Sequence, residues 1–318
     1  MKCSYHTGYH VALSAGHPFP MSKYALLKAQ LLAAGILAPA DLVEPEPISV
    51  EALARVHTPE YLAKLSAGNL SPAELRKLGL PWSEALWLRS RLAAGGTLLA
   101  ARGALIDGMA GNLAGGTHHA FADHGEGFCV VNDVAVAIRQ LQAEGVIHRA
   151  LVIDLDVHQG NGTAAIFADC GTVYTFSMHG EKNYPLLKMR SSLDVELPDG
   201  TGDAEYLERL DRHLGPVIDR AAPELVFYVA GVDVAAGDRY GKLCLSDEGI
   251  RQRERTVISA VRAKGLPLVI VLAGGYAATR ERTAALHVHV FREAVAYERD
   301  RPSPPQRRLT PPSGPAAS

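Results

Sequence analysis

The residues best suited to chemistry lie in the segment ALVIDLDVHQGNG, residues 150–162. An apolar run of the kind that forms a buried strand is followed by Asp154, Asp156 and His158 at every second position. Side chains two positions apart in an extended segment point to the same side. Burial of two carboxylates and an imidazole costs free energy unless cations or hydrogen bonds compensate. The spacing therefore indicates a polar site at the end of a strand.

Asp233 extends this pattern, because it follows a second apolar segment, LVFYVAGV at residues 225–232. Two carboxylates and one imidazole are a suitable ligand set for a catalytic divalent metal, with a position left for water or substrate. Taken alone, the spacing of Asp156 and His158 is more typical of an N-cap aspartate and a hydrogen-bonded histidine. The acids Asp154 and Asp233 at two strand ends favour the metal site.

The adjacent residues His118 and His119 follow a pair of glycines, where the backbone can approach a ligand closely. A histidine near a metal would take a proton from water and return it to a leaving group, while its neighbour stays charged. Asp154 and Asn161 are candidate acceptors that would orient the two rings. The alternative is a pair of histidines in a surface loop.

Tyr276 is a further candidate, since it follows the apolar run PLVIVL at residues 267–272 and two glycines. A hydroxyl at that point would donate a hydrogen bond to an oxyanion. A tyrosine at a strand end is more often a packing residue, so Tyr276 depends on the other candidates for its interpretation.

A competing interpretation comes from GNGTAA at residues 160–165, which matches the GxGxxA pattern of dinucleotide-binding proteins. Charged residues crowd the strand end where that pattern needs an open, tight turn. The next predicted strand, TVYTFS at residues 172–177, does not end in the acid that would hold a ribose. A dinucleotide site is therefore the weaker interpretation.

Short apolar strands alternate with amphipathic helices, and these elements must position the candidate residues. Strands are predicted at 150–155, 172–177, 225–230 and 267–272, and helices at 204–220 and 247–264. Such apolar strands are typical of a parallel sheet that is covered on both faces. The alternation predicts a three-layer α/β/α domain with a central, mainly parallel sheet. Ligands bind such sheets outside the carboxyl ends of the strands.

The two ends of the chain differ from this central part. The first third reads as helical, with a capping box at residues 71–74 and a helix start at Thr58-Pro59. Residues 299–318 are rich in Pro, Ser and Arg without an apolar period, as in disordered tails. The sequence predicts one catalytic domain at residues 1–298 and a tail at 299–318.

The composition excludes several classes of protein. The chain of 318 residues is 47% hydrophobic and 21% charged, as expected for a globular domain with a large core. A net charge of −2, with no basic block before the tail, argues against nucleic acid or anionic membrane as the main partner. Four scattered cysteines without a CxxC pair argue against disulfides and thiolate zinc sites. No signal peptide or membrane span is expected, so a cytoplasmic protein is predicted.

Five motifs occur in the order found in the histone deacetylase family: GGTHHAF (115–121), GFCVVND (127–133), DLDVHQGNG (154–162), GVD (231–233) and AGGY (273–276). From about Gly16 to Tyr276 the chain resembles this family, which has the arginase/deacetylase fold. The segments HPFPMSKY, NYP and GDRYGKLCLS are most similar to the class IV branch and its bacterial relatives.

The resemblance implies a zinc-dependent amidohydrolase that removes an acetyl or longer acyl group from lysine or a related amine. The implied Zn²⁺ ligands are Asp156, His158 and Asp233, a set that is also compatible with Fe²⁺. His119 would act as general base and acid, with His118, oriented by Asp154, as its electrostatic partner and Tyr276 as the oxyanion donor. The implied acyl tunnel is lined by Gly127, Phe128 and Tyr184. A structural K⁺ ion is implied at Asp154, Asp156, His158, Ser177 and Met178, largely through backbone carbonyls.

Two positions depart from the usual pattern. Asn161 stands where class I enzymes carry a second aspartate beside the histidine pair, and an amide would hold His119 without stabilising its charge as a carboxylate does. Tyr240 stands near the pocket mouth, where relatives usually carry Leu or Met, and is a further candidate for substrate binding. The acidic rim residue that clamps peptide backbone in class I has no clear counterpart, so histone specificity is not implied.

Three functions follow from these observations. The first is hydrolysis of acyl-lysine in a peptide or protein. The second keeps the fold with another substrate, an acetylpolyamine or a long-chain acyl-lysine. The third is a metal-dependent ligand-binding protein with little turnover, which is disfavoured because the expected catalytic side chains are all present. The implied partner is an acylated lysine or an acylated amine, and the sequence does not indicate the oligomeric state.

Overall fold

A sheet of parallel strands forms the centre of the structure, a computed structural model that describes residues 1–300. Its strands are β1 (Lys2–Ser4), β2 (Leu42–Val43), β3 (Met109–Asn112), β4 (Ala150–Asp154), β5 (Val173–Gly180), β6 (Leu193–Leu197), β7 (Leu225–Val229) and β8 (Leu268–Val271). Their order is β2-β1-β3-β8-β7-β4-β5-β6. Because every pairing is parallel, the carboxyl ends of the strands meet along one edge.

Helices cover this sheet on both faces. They are α1 (Lys23–Ala33), α2 (Val50–Leu53), α3 (Pro59–Ala67), α4 (Pro72–Leu78), α5 (Glu84–Asp107), α6 (Asp133–Ala143), α7 (Asn161–Ile166), α8 (Asp203–Ala221), α9 (Asp247–Ala263) and α10 (Arg280–Arg299). Val152 of β4 packs in a buried cluster with α5 and α6, whereas Leu151 and Ile153 pack in another with α8 and α9. This arrangement confirms the predicted three-layer α/β/α class.

The four predicted strands correspond to β4, β5, β7 and β8, and the two predicted helices correspond to α8 and α9. The capping box is present, because Ser71 Oγ accepts from Glu74 N and Glu74 Oε2 accepts from Ser71 N. Thr58 caps α3 as expected.

The prediction of a helical first third was incomplete, since that part also contributes β1 and β2, and β3 follows directly after it. These strands are too short to carry an apolar run, and they form by pairing with a sheet whose centre lies later in the chain. Of the predicted tail at 299–318, residues 301–318 lie outside the described part of the chain. Within residues 1–300, no helix is long and apolar enough to cross a membrane.

Candidate active site at the carboxyl ends of the strands

The predicted metal ligands Asp156, His158 and Asp233 come together just beyond β4 and β7. All three are buried, and one atom of each that could bind a metal, a ring nitrogen or a carboxylate oxygen, lies within 4.8 Å of the others. His158 Nδ1 lies 3.0 Å from Asp156 Oδ1 and 3.2 Å from Asp233 Oδ2. The parallel sheet therefore assembles residues that are far apart in sequence into one cluster.

Backbone amides orient the two carboxylates of this cluster. Gly274 N donates to Asp156 Oδ2 at 2.7 Å, and Val157 N donates to Asp233 Oδ1 at 2.9 Å. Asp233 Oδ2 is buried and, although His158 Nδ1 lies 3.2 Å away, it accepts no hydrogen bond from the described residues. A buried carboxylate oxygen without such a bond is costly unless a cation compensates it. The donor set and this oxygen fit a divalent metal.

Gly274 lets the loop after β8 approach the cluster. A Cβ atom at this position would lie 1.9 Å from Asp233 Oδ2 and 2.6 Å from Asp156 Oδ2. The neighbouring Ala273 has a φ of 54°, in the left-handed region, so the chain turns sharply there. The first glycine of AGGY is thus required by close packing against the two carboxylates.

His118 is paired with Asp154, as predicted from the sequence. Its Nδ1 donates to Asp154 Oδ2 at 2.7 Å, and its Nε2 lies 3.9 Å from Asp156 Oδ1. Burial lowers the pKa of His118, but the charges of Asp154 and Asp156 outweigh it and raise that pKa to about 9. His118 is therefore a charged imidazolium at neutral pH.

His119 lies beside His118 and meets Asn161 instead of an acid. The two ring centroids are 4.1 Å apart, and His119 Nδ1 lies 2.7 Å from Asn161 Oδ1. Burial, together with the charges of His118 and His158, holds the pKa of His119 well below its usual value. His119 is therefore neutral at neutral pH and has a ring nitrogen available to accept a proton.

Tyr276 lines the same cavity as the two histidines. Its backbone N–H donates to Asp238 Oδ2 at 2.7 Å, which ties the loop after β8 to the loop after β7. Burial and the charges of Asp233 and Asp156 hold the pKa of Tyr276 well above its usual value. The hydroxyl accordingly remains a neutral hydrogen-bond donor.

The predicted substrate-binding residues surround this cavity. Gly127 and Phe128 line it, with φ angles of 55° and 68°. The Tyr184 ring lies 5.0 Å from that of His119, and the Tyr240 ring lies 5.0 Å from that of Tyr276. Both tyrosines are partly exposed, 40% for Tyr184 and 36% for Tyr240. Both tyrosines therefore stand beside residues of the cavity wall, with part of their surface open to solvent.

The residues predicted to hold potassium lie at and just beyond the end of β4 and in the part of β5 that pairs with that end. Asp154 stands opposite Ser177 in the register of the two strands, and Met178 follows, fully buried. Asp154 Oδ1 accepts from Asp156 N at 3.2 Å, and Ser177 Oγ lies 2.9 Å from His179 Nδ1. The set is contiguous, and its role as a K⁺ site stays a prediction.

The dinucleotide interpretation of residues 160–165 conflicts with the packing of α7. Thr163 N donates to His118 O at 3.0 Å, so one of the first amides of this helix is already paired. A Cβ atom on Gly162 would lie 2.3 Å from Ala120 O. The loop of residues 118–120 therefore covers the place where a pyrophosphate would bind.

Three charged residues near the site were not singled out from the sequence. Lys23 is buried, donates from Nζ to Ala273 O at 2.6 Å and has a pKa lowered to about 8 by burial. Arg253 of α9 donates to Leu155 O at 3.1 Å and so supports the loop after β4. Glu126 is 5% exposed and contacts Asn161. Lys23 lies inside HPFPMSKY, a segment similar to the family, and that similarity was a signal in the sequence, whereas Glu126 lies between the motifs at 115–121 and 127–133.

Comparison with known proteins agrees with this geometry. The family model for the histone deacetylase domain matches residues 17–291. The chain belongs to the histone deacetylase family. An uncharacterized protein of Picosynechococcus sp. is 45% identical to this chain, and the match covers 92% of this chain and 96% of that protein. Histone deacetylase 2 of Arabidopsis thaliana is 36% identical, covering 85% of this chain and 72% of its own.

A solved structure supports the same assignment of fold. The crystal structure of the HDA15 HD domain matches with a TM-score of 0.75 and 23% identity. The structural match covers 93% of this chain and 88% of the chain of the HDA15 HD domain. The arginase/deacetylase fold expected from the five motifs is therefore confirmed, and the chain is a hydrolase of the histone deacetylase family.

Proposed function

We propose that this protein is a zinc-dependent amidohydrolase that removes an acyl group from lysine or a related amine. The observation that carries the proposal is the buried cluster of Asp156, His158 and Asp233 beside a neutral His119 and a charged His118. A metal site next to a proton acceptor supports amide hydrolysis by a metal-activated water.

The proposed mechanism assigns one task to each side chain. Asp156, His158 and Asp233 would hold Zn²⁺, which when bound supplies a positive charge that polarises the substrate carbonyl and acidifies the attacking water. His119 accepts the proton of that water and then donates it to the leaving nitrogen. His118 stays charged beside it, held by Asp154.

Tyr276 completes this assignment by donating its hydroxyl hydrogen bond to the oxyanion that forms on the substrate. Gly127, Phe128, Tyr184 and Tyr240 would enclose the acyl chain, since they line the cavity or contact its walls. Aromatic walls favour an apolar acyl group over a charged one.

Several finer points belong to the same proposal. The native metal would be Zn²⁺, although the ligand set is compatible with Fe²⁺. The K⁺ ion would lie between the end of β4 and the neighbouring residues Ser177 and Met178 of β5, where burial of Asp154 favours a neutralising cation. The catalytic domain would comprise residues 1–298, the partner would be an acylated peptide or amine, and the predicted location is the cytoplasm.

The test measures whether the zinc-loaded protein hydrolyses lysine peptides that carry acyl groups ranging in length from acetyl to myristoyl. An acetylpolyamine is included in the same panel of substrates. Asp156→Ala should abolish metal-dependent turnover, because it removes one of three ligands. Asp211→Ala, a change on the exposed face of α8, is the matched control and should leave turnover unchanged.

Each outcome of this panel has a distinct meaning. The best substrate would identify the acyl length and separate peptide from polyamine hydrolysis. Turnover by Asp156→Ala at the wild-type rate would contradict the ligand assignment. Absence of turnover on every substrate, with zinc verifiably bound, would favour the metal-dependent ligand-binding protein instead.

A further inference from the structure

Glu126 is a buried acid at the edge of the candidate active site, in the segment between two glycines that precedes Phe128. Its side chain is 6% exposed. Burial of a carboxylate is costly, so its hydrogen bonds indicate what it does there. One of its hydrogen bonds reaches Asn161, the residue that holds His119.

Four groups approach the two oxygens of Glu126. Oε1 accepts from Asn161 Nδ2 at 2.5 Å and from the Tyr184 hydroxyl at 2.8 Å. Oε2 lies 2.9 Å from Lys77 Nζ and 3.4 Å from His124 Nε2. Burial raises the pKa of Glu126, but these hydrogen bonds outweigh it and hold that pKa well below its usual value. Glu126 is therefore ionised at neutral pH.

The charge of Glu126 determines the orientation of the Asn161 amide. An ionised carboxylate only accepts hydrogen bonds, whereas an amide has one accepting end and one donating end. The NH₂ group of Asn161 must therefore face Glu126, and its oxygen must face His119. The flipped amide would place its oxygen against the carboxylate and lose a charge-assisted hydrogen bond.

The orientation of Asn161 in turn determines the tautomer of His119. Because Asn161 Oδ1 accepts, His119 Nδ1, 2.7 Å away, must carry the ring proton. A neutral imidazole has a single N–H, so Nε2 is left without a proton. Nε2 is then the nitrogen that can accept a proton from water. The flipped amide would favour the opposite tautomer, which has its proton on Nε2 and cannot act as that base.

We propose that Glu126 is a positioning residue that acts through Asn161 to hold His119 in the tautomer protonated at Nδ1. The inference deepens the proposed hydrolase activity and rests on it for its kinetic test. In the class I pattern an aspartate stands beside this histidine. In this chain Asn161 takes that place, and the carboxylate of Glu126 contacts Asn161. The neutral amide relays the orienting effect of that carboxylate without placing a negative charge against His119.

A swap of the two side chains tests this relay. Glu126→Gln can present either an amide oxygen or an NH₂ group to Asn161, so the flipped orientation of the Asn161 amide is no longer excluded. The value of kcat should therefore fall about 10- to 100-fold, while KM changes little. Asn161→Asp places two carboxylates in contact and should also lower kcat. When both substitutions are combined, the carboxylate beside His119 only accepts, and the amide introduced by Glu126→Gln can donate to it. The double variant should therefore recover kcat at least about tenfold over either single variant.

The matched control is Glu144→Gln, which changes an exposed glutamate that is paired with Arg102 and does not line the cavity. It should leave kcat and KM unchanged. A Glu126→Gln variant with wild-type kcat, or a double variant no faster than the slower single one, would overturn the proposal. Circular dichroism of each variant separates a loss of kcat from a loss of fold, since the contact between two carboxylates in the Asn161→Asp variant could itself lower stability.

A measurement that needs no turnover separates this inference from the proposed function. In ¹⁵N-histidine-labelled protein, the His119 ring should show a protonated Nδ1 and an unprotonated Nε2, and Glu126→Gln should shift both signals towards a mixture of tautomers. A wild-type His119 with its proton on Nε2 would refute the relay even if the enzyme is active. An inactive wild type with the expected spectrum would refute only the hydrolase activity.

Discussion

Gly274→Ala tests whether the loop after β8 closes against metal ligands. Gly274 has no backbone conformation that requires glycine, so alanine tests space alone. The added Cβ would lie 1.9 Å from Asp233 Oδ2 and 2.6 Å from Asp156 Oδ2. Non-bonded atoms prefer separations of about 3.5 Å, so both carboxylates must move, the first by more than about 1 Å.

The size of the effect follows from this displacement. Metal–ligand distances tolerate changes of about 0.2 Å, which is far less than the shift that the methyl group imposes. Loss of a group that merely orients a ligand lowers metal affinity about 10- to 100-fold. Displacement of two ligands should therefore weaken zinc binding at least about 100-fold, or about 2.8 kcal/mol. The overpacking should lower the free energy of unfolding by about 1–3 kcal/mol.

Competition with a chromophoric chelator measures the zinc affinity, and circular dichroism measures the fold and its melting temperature. Gly171→Ala is the matched control, because a Cβ at Gly171 meets no atom within 4 Å. That change should leave zinc affinity unaltered and be neutral or stabilise the fold by up to about 1 kcal/mol. Asp233→Asn provides a second variant that keeps the shape of the site while removing a charge.

Wild-type zinc affinity in a folded Gly274→Ala protein would contradict this prediction. In that case the two carboxylates near Gly274 would not be the ligands. Loss of zinc binding in Gly274→Ala but not in Asp233→Asn would also contradict the assignment, since both variants disturb the same oxygen atom.

Three further predictions concern the same site. Tyr276→Phe should lower kcat about 10²-fold if the hydroxyl stabilises an oxyanion, and an unchanged kcat would exclude that role. The value of kcat/KM should fall as pH rises through about 9, the raised pKa of His118, because the His118 ring loses its charge there. A bound dication would move this fall to lower pH. A value of kcat/KM that is still level at about pH 10 would therefore contradict the role of a charged His118. Removal of zinc by a chelator should lower the melting temperature, since a ligand at 100 times its Kd stabilises by about 2.7 kcal/mol; unaltered melting after verified zinc loss would contradict a resident metal.

The central strands and the positions of the proposed metal ligands were predictable because their signals are local. β4, β7 and β8 are apolar runs, and parallel pairing brings their carboxyl ends to one edge. Asp156 and Asp233 could therefore be placed near each other without knowledge of the remaining chain. The short strands β1, β2 and β3 could not be predicted, because they depend on pairing rather than on their own composition.

The sequence by itself determined which chemical groups are available: two carboxylates and a histidine at strand ends, a histidine pair and a tyrosine after a glycine pair. Only the tertiary structure decided which groups act on one another. Glu126 and Asn161 are 35 positions apart and Lys23 and Ala273 are 250 apart, yet each pair is hydrogen-bonded. Such contacts arise when separate segments pack against one sheet, and no local periodicity records the distance between them. Asp154, the acid beside His118, could therefore be predicted from the sequence, whereas Glu126, the acid that orients Asn161, became evident only in the folded chain.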